Sequence, residues 1–402
     1  MGKAELDAVS LVFDPRLHVA GEVVEGAVDL YFPKLMDDNV EEVHVKLRGY
    51  VVTKVTKQLP GPPGQPPRYI HHREQVDLCR ENVSLWQKGS SLYPQPGTHV
   101  LRIPFRFTLP AVLPPSCSYS GFHWEGTVGY FVEAVGERHG LHFNRRVQQP
   151  FPVLPAEAFG ASLRSALTSR WTGGWKTFEA RDEIRRGIWG DYAQVHATLV
   201  FPDLDAFPLM TPIPVTLNVV TVTKMVKPDE YSEDEEIFPE PPQDPKKYEL
   251  KMESKIWVKS QGHTSGSSDH TVGLLAGFGE SDDPQFYEGV QVQPLRKVWI
   301  PSHDAHDEKK HKGQWRQEVT FKSSFVLNCP PSFGTTTMTV EYNARLKIDF
   351  PGIGNDTKLE FPMRVISSMP PPGQPWQGSP PQLDLPPGYF DANSWANGDE
   401  KD

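Results

Sequence analysis

The chain has 402 residues, among them 40 prolines and 32 glycines, with 38% hydrophobic residues and a net charge of −10. Proline at about twice its ordinary share excludes a helical bundle, because each interior proline removes a helix hydrogen bond and clashes with the preceding turn. The acidic balance argues against nucleic acid as a partner, which demands a net basic footprint, while the length and apolar content suffice for two or three domains.

Met1 to Asp7 lack the apolar core of a signal peptide, and no run of about 18 apolar residues follows, so a cytoplasmic protein is expected. From Val43 onward Val43, Val45 and Leu47 alternate with His44, Lys46 and Arg48, the pattern of a strand with one buried face. Leu101, Ile103, Phe105, Phe107 and Leu109 repeat it, as do Ala193, Val195, Ala197, Leu199 and Phe201. The longest run alternates from Met338 to Phe350, with Thr339, Glu341, Asn343, Arg345, Lys347 and Asp349 on the opposite face. Turn residues cluster between these runs, which predicts antiparallel β-sandwiches.

The alternation stops at Ala156, where Phe159, Leu163 and Leu167 fall at helical spacing ahead of Trp171-Thr172-Gly173-Gly174-Trp175. This places a first sandwich over residues 1–155, a connector with a short helix over 156–186 and a second sandwich over 187–369. The stretch 370–402 holds eight prolines and few large apolar residues, and reads as a flexible tail. Cys79, Cys117 and Cys329 form no C-x-x-C pair and are expected as reduced thiols.

The two halves share an order of features. Phe107-Thr108-Leu109 leads through Pro114-Pro115-Ser116 to Val128-Gly129-Tyr130, and Phe325-Val326-Leu327 leads through Pro330-Pro331-Ser332 to Val340-Glu341-Tyr342. A tandem duplication explains that order and spacing better than chance convergence of two hairpins, the alternative reading. Together with Gly21-Glu22-Val23-Val24-Glu25-Gly26 and Val45-Lys46-Leu47-Arg48-Gly49, the Leu-Pro…Pro-Pro-Ser…Tyr block resembles the amino-terminal domain of the arrestin family, and 187–367 resembles its carboxy-terminal partner. The resemblance leans toward the α-arrestins of fungi and animals. It implies an all-β pair of immunoglobulin-like sandwiches in a cytoplasmic adaptor that recognises membrane receptor or transporter cargo, peripheral to the plasma membrane or endosomes, and recruits a ubiquitin ligase.

One motif bears on chemistry directly. Pro386-Pro387-Gly388-Tyr389 fits P-P-x-Y, the ligand pattern of WW domains: two prolines preset a polyproline II backbone, so little entropy is lost on docking, and the tyrosine fills a second pocket. Pro66-Pro67-Arg68-Tyr69 is a second match, closing a proline-rich insertion between two predicted strands; the resemblance places such motifs beyond the second sandwich, where this copy does not lie. A WW-bearing ligase of the HECT type is the partner the resemblance implies, and two motifs on one chain raise its effective concentration.

Other constellations carry two readings each. The acidic insertion from Pro228 to Asp244 presents Ser232 three residues before Glu235, a pattern for acidophilic kinases, or is a solvated loop. Arg145, Arg146, Arg181, Arg185 and Arg186 offer contacts to anionic lipid or phosphorylated cargo, or pair with the protein's own carboxylates. His303, His306 and His311 sit among lysines that oppose a cation, so no metal and no cofactor are expected. G-x-S-x-G, P-loop, H-E-x-x-H and G-x-G-x-x-G signatures are missing, so neither an enzyme nor a small-molecule substrate is expected. The rival to ligase recruitment is an arrestin-fold scaffold of the retromer kind.

Overall fold

The computed structural model describes residues 7–138, 143–187, 190, 192–227, 230–231, 236–302, 312–352 and 354–374. The first half contains β1 (Val9–Phe13), β2 (His18–Val19), β3 (Val23–Tyr31), a short α1 (Phe32–Asp37), β4 (Val40–Leu59), β5 (Arg68–Gln87), β6 (Val100–Thr108), β7 (Cys117–Gly121), β8 (Trp124–Arg138), β9 (Arg145–Pro150) and β10 (Val153–Leu154). After α2 (Ala158–Thr168) the second half contains β11 (Trp175–Arg185), β12 (Tyr192–Pro202), β13 (Phe207–Pro208), β14 (Ile213–Val222), β15 (Tyr248–Ser260), β16 (His263–Leu274), β17 (Gln291–Pro301), β18 (Gly313–Phe325), β19 (Phe333–Gly334), β20 (Met338–Asp349), β21 (Asp356–Met363) and β22 (Val365–Ile366).

Each half stacks two sheets. The first packs β1-β3-β6 against β5-β4-β8-β7, with β9 also on β8; the second packs β11-β12-β14-β18-β17 against β16-β15-β20-β19, with β21 also on β20. The alternating apolar residues drive this arrangement: Val43, Val45 and Leu47 of β4 and Val340, Tyr342, Ala344, Leu346 and Ile348 of β20 are all fully or almost fully buried. The apolar core runs without a break from one sandwich into the other.

The repeat seen in the sequence is a repeat of hydrogen bonds. The Tyr130 hydroxyl donates to the Pro114 carbonyl at 2.8 Å and that of Tyr342 to the Pro330 carbonyl at 2.7 Å. Ser116 N–H donates to Val153 O while Val153 N–H donates to the Ser116 hydroxyl, and Ser332 and Val365 exchange the same pair. Each Pro-Pro-Ser turn is therefore tied to a tyrosine on one side and to a short parallel pair, β2–β10 or β13–β22, on the other.

The expected connector is corrected in its second part. Helix α2 lies where Phe159, Leu163 and Leu167 predict one, capped by the Glu157 carboxylate, but from Trp175 the chain is again a strand and pairs with β12 along its whole length. At the other end, the segment after β22 folds back: Glu157 N–H donates to Met369 O, and the Pro372 ring lies 3.4 Å from where a Cβ on Gly21 would stand. Pro372, expected in the tail, thus lies beside Gly21 of the first sandwich, with residues 372–374 exposed.

Candidate partner-binding sites and the junction of the sandwiches

β4 and β5, twenty residues each, form the hairpin that closes over 60–67. Pro66 and Pro67 are exposed in the loop; Arg68 and Tyr69 open β5, paired with Leu59 and Gln58. Proline suits the first position before a strand because it has no N–H to give the ladder, and extended strand backbone is close to polyproline II. The Tyr69 side chain is 51% exposed. Its ring centroid is 6.3 Å from that of His123, which in turn is 4.1 Å from the exposed Phe122 in the β7–β8 turn. Thr56 N–H donates to His123 O, tying that turn to β4 and aligning the three rings beside the motif. The tail copy, Pro386, Pro387 and Tyr389, lies outside the described residues, as does Ser232.

The structure does not gather the five arginines into one patch. Arg145 and Arg146 lie on β9 in the first sandwich, and Arg181 and Arg185 on β11 in the second. Arg145 makes a two-pronged pair with Asp38 at 2.9 and 3.0 Å, which holds that carboxyl below its ordinary range. Arg146 meets Glu133 at 3.5 Å and Arg181 meets Glu179 at 3.3 Å. Arg185 donates to Gly190 O and lies over the Tyr192 ring, and Arg186 lines a cleft of about 100 Å³ with Lys224 and Tyr231. Arg145, Arg146 and Arg181 thus each pair with a carboxylate of the protein's own fold while remaining exposed.

Sequence alternation misses a buried charged row. His44, Lys46 and Arg48 are predicted to face water, yet all three are less than 10% exposed. β4 is a central strand, and its neighbours' side chains close over it: Glu133 and Asn82 stand opposite Lys46, and Phe131 and Arg80 opposite Arg48. Arg48 donates to the Leu47 and Glu81 carbonyls at 3.0 Å each. Burial, and then the charge of Lys46, push the His44 imidazole below its ordinary value.

The acidic insertion is not wholly a solvated loop. Ile237 is fully buried with Val226 and Trp315, and Gln317 donates to the carbonyls of Ile237 and Pro239 at 2.7 and 2.9 Å. Glu236, Glu240, Asp244 and Asp349 line a groove of about 450 Å³, where Lys297 pairs with Glu240 at 3.3 Å. His303, His306 and His311 lie outside the described residues, among which no group of three or more His, Cys, Asp or Glu side chains could hold a metal ion. Cys79, Cys117 and Cys329 are free and buried; burial pushes the Cys79 and Cys329 thiols up to about 12, which leaves them unreactive.

The sandwiches meet where β15 and β16 pack on β4 and β5. The Thr53 hydroxyl donates to Lys259 O at 2.7 Å, and the hydroxyls of Tyr119 and Tyr342 lie 3.1 Å apart. At Gln261 and Gly262, with φ of 49° and 82°, the β15–β16 turn has the left-handed backbone of a two-residue hairpin and reaches across to β5. Gln261 N–H donates to the Glu74 carboxylate at 2.6 Å and its side chain to Arg73 O at 3.0 Å.

Among the described residues no helix is long and apolar enough to cross a membrane. No curated protein matches this chain. Residues 9–158 match the family model described as Arrestin (or S-antigen), N-terminal domain, from β1 to the first residue of α2; the first sandwich is thus of the arrestin amino-terminal type, which supports the arrestin family for the chain.

Proposed function

We propose that the protein is a non-enzymatic adaptor of the α-arrestin type, acting in the cytoplasm at the plasma membrane or endosomes. Its P-P-x-Y motifs recruit a WW-domain ubiquitin ligase of the HECT type to membrane receptor or transporter cargo. The observation that carries this reading is the motif Pro386-Pro387-Gly388-Tyr389 in a chain whose first sandwich matches the arrestin amino-terminal domain. A WW domain recognises proline rings and a tyrosine presented on extended backbone, so the ligand needs exposure more than a fold of its own. The loop copy supports a second, weaker contact: Pro66 and Pro67 are exposed, and half the Tyr69 side chain is open to solvent.

The test is capture of the purified chain on an immobilised array of WW domains. Tyr389→Ala is expected to weaken capture about tenfold, and Tyr389→Ala with Tyr69→Ala to abolish it. Undiminished capture by the double variant overturns ligase recruitment. A stable complex of fixed stoichiometry with coat subunits would then favour the scaffold reading.

A further inference from the structure

Two histidines 191 positions apart in the sequence are brought face to face at the junction of the sandwiches. The rings of His72 on β5 and His263 at the start of β16 have centroids 3.9 Å apart and are inclined by 39°. His72 Nδ1 also lies 3.3 Å from the Gln261 side-chain oxygen, in the same turn whose backbone N–H donates to Glu74. Both side chains are half-buried. Neutral imidazoles can stack at this distance, whereas two imidazolium ions about 4 Å apart repel strongly, more so where neighbouring protein excludes water.

We propose that the His72–His263 contact is a proton-responsive clasp. At neutral pH it holds the β15–β16 turn against the first sandwich, and in mildly acidic solution it lets that turn go.

The charges around the pair come from each strand packed there. Lys57 of β4 adds positive charge, and together with half-burial and His72 it holds His263 below its ordinary value of 6.5, burial counting most. On β5, the Glu74 carboxylate faces the turn and accepts the Gln261 N–H, while Arg73 offers its carbonyl to the Gln261 side chain. Lys259 of β15 is exposed, with its carbonyl taken by Thr53. Charge on both rings would place two like charges about 4 Å apart, and that repulsion separates them. A histidine with a depressed value in the folded protein stabilises it fully above the ordinary value, and that stabilisation is lost as the pH falls below it. The Thr53–Lys259 and Tyr119–Tyr342 bonds contain no histidine, so the release is confined to the turn.

Hydrogen exchange of the full chain at pH 7.5 and 5.5, corrected for the intrinsic pH dependence of amide exchange, tests this at the Gln261 amide. Protection there is expected to fall at least tenfold on acidification, with strand β18 unchanged. His263→Phe keeps a ring without a charge and should hold the acid response below twofold, and His72→Gln provides an independent check. Glu74→Gln should leave the response in place. Protection unchanged within twofold in the parent chain, or a response as steep in His263→Phe and His72→Gln as in the parent, overturns the clasp.

Discussion

The two sandwiches keep the same fastenings and surround them with different chemistry. In the first, Gly21 turns the chain with φ of 83° and donates its N–H to Pro110 O, and Glu22 follows; in the second, Met210 takes φ of 52°, donates to Leu327 O and is followed by Thr211. Opposite the latch tyrosines, Gly49 faces Tyr130 and Ser254 faces Tyr342, and the residue before each is a buried charge of opposite sign, Arg48 or Glu253. Arg48 is met by backbone carbonyls, and Glu253 by the Lys251 ammonium at 2.8 Å. Hydrogen bonds to the backbone are what the repeat retains; side chains beside them are free to take either charge provided each is answered locally.

The sharpest way to break this parallel is at Gly49, where an added Cβ would stand 2.5 Å from the Tyr130 ring and 2.7 Å from Cys79 Sγ. Gly49→Val is expected to cost about 3 kcal/mol, against about 1 kcal/mol for Ser254→Ala at the matching site, read from denaturant midpoints. Next in size is the tyrosine pair. Tyr342→Phe strands both the Pro330 carbonyl and the Tyr119 hydroxyl and should cost about 2 kcal/mol, while Tyr130→Phe strands Pro114 O and should cost about 1 kcal/mol. A double-mutant cycle with Tyr119→Phe isolates the share that crosses between sandwiches.

The smallest effect separates the halves by pH. Burial opposes ionisation of Glu22, but the nearby His18 imidazole and hydrogen bonds from Arg16 and Val19 N–H prevail and hold its carboxyl at about 2. A carboxyl depressed in this way stabilises the fold above its ordinary value of 4.5 and loses that contribution as the pH falls toward 2. Because the group is partly open to solvent, the loss is about 1 kcal/mol. Thr211 does not titrate, so acid should loosen the Gly21–Glu22 turn ahead of the Met210–Thr211 turn, with Glu22→Gln removing the difference; hydrogen exchange at pH 5 and pH 3 reads both turns at once.

Much of the frame was legible because burial on one face writes itself into every second residue, as in β4, β6, β12 and β20. β11 escaped notice for a physical reason: at the sheet edge its inward positions include the small Ala180 and the polar Asp182, so little alternation remains. The duplication could be read from Pro-Pro-Ser and the following tyrosines, but not what the tyrosines do, since their acceptors lie 12 and 16 residues away. His44, Lys46 and Arg48 look like a wet face in a single strand and become dry only when β5 and β8 close over them. The P-P-x-Y copies needed no fold to be seen. The Tyr69–His123–Phe122 row needed the β7–β8 turn to be brought beside β4.

The position of the last described residues also sets a limit on distance. After β22 the chain returns to the first sandwich, and Pro372 rests beside Gly21. From Gln374 to Tyr389 is fifteen residues, which even fully drawn out extend no more than about 54 Å. Anything grasped at Tyr389 is thereby held within that distance of Gln374, two residues past the Pro372 that sits beside the amino-terminal sandwich, although the sequence follows the carboxy-terminal one.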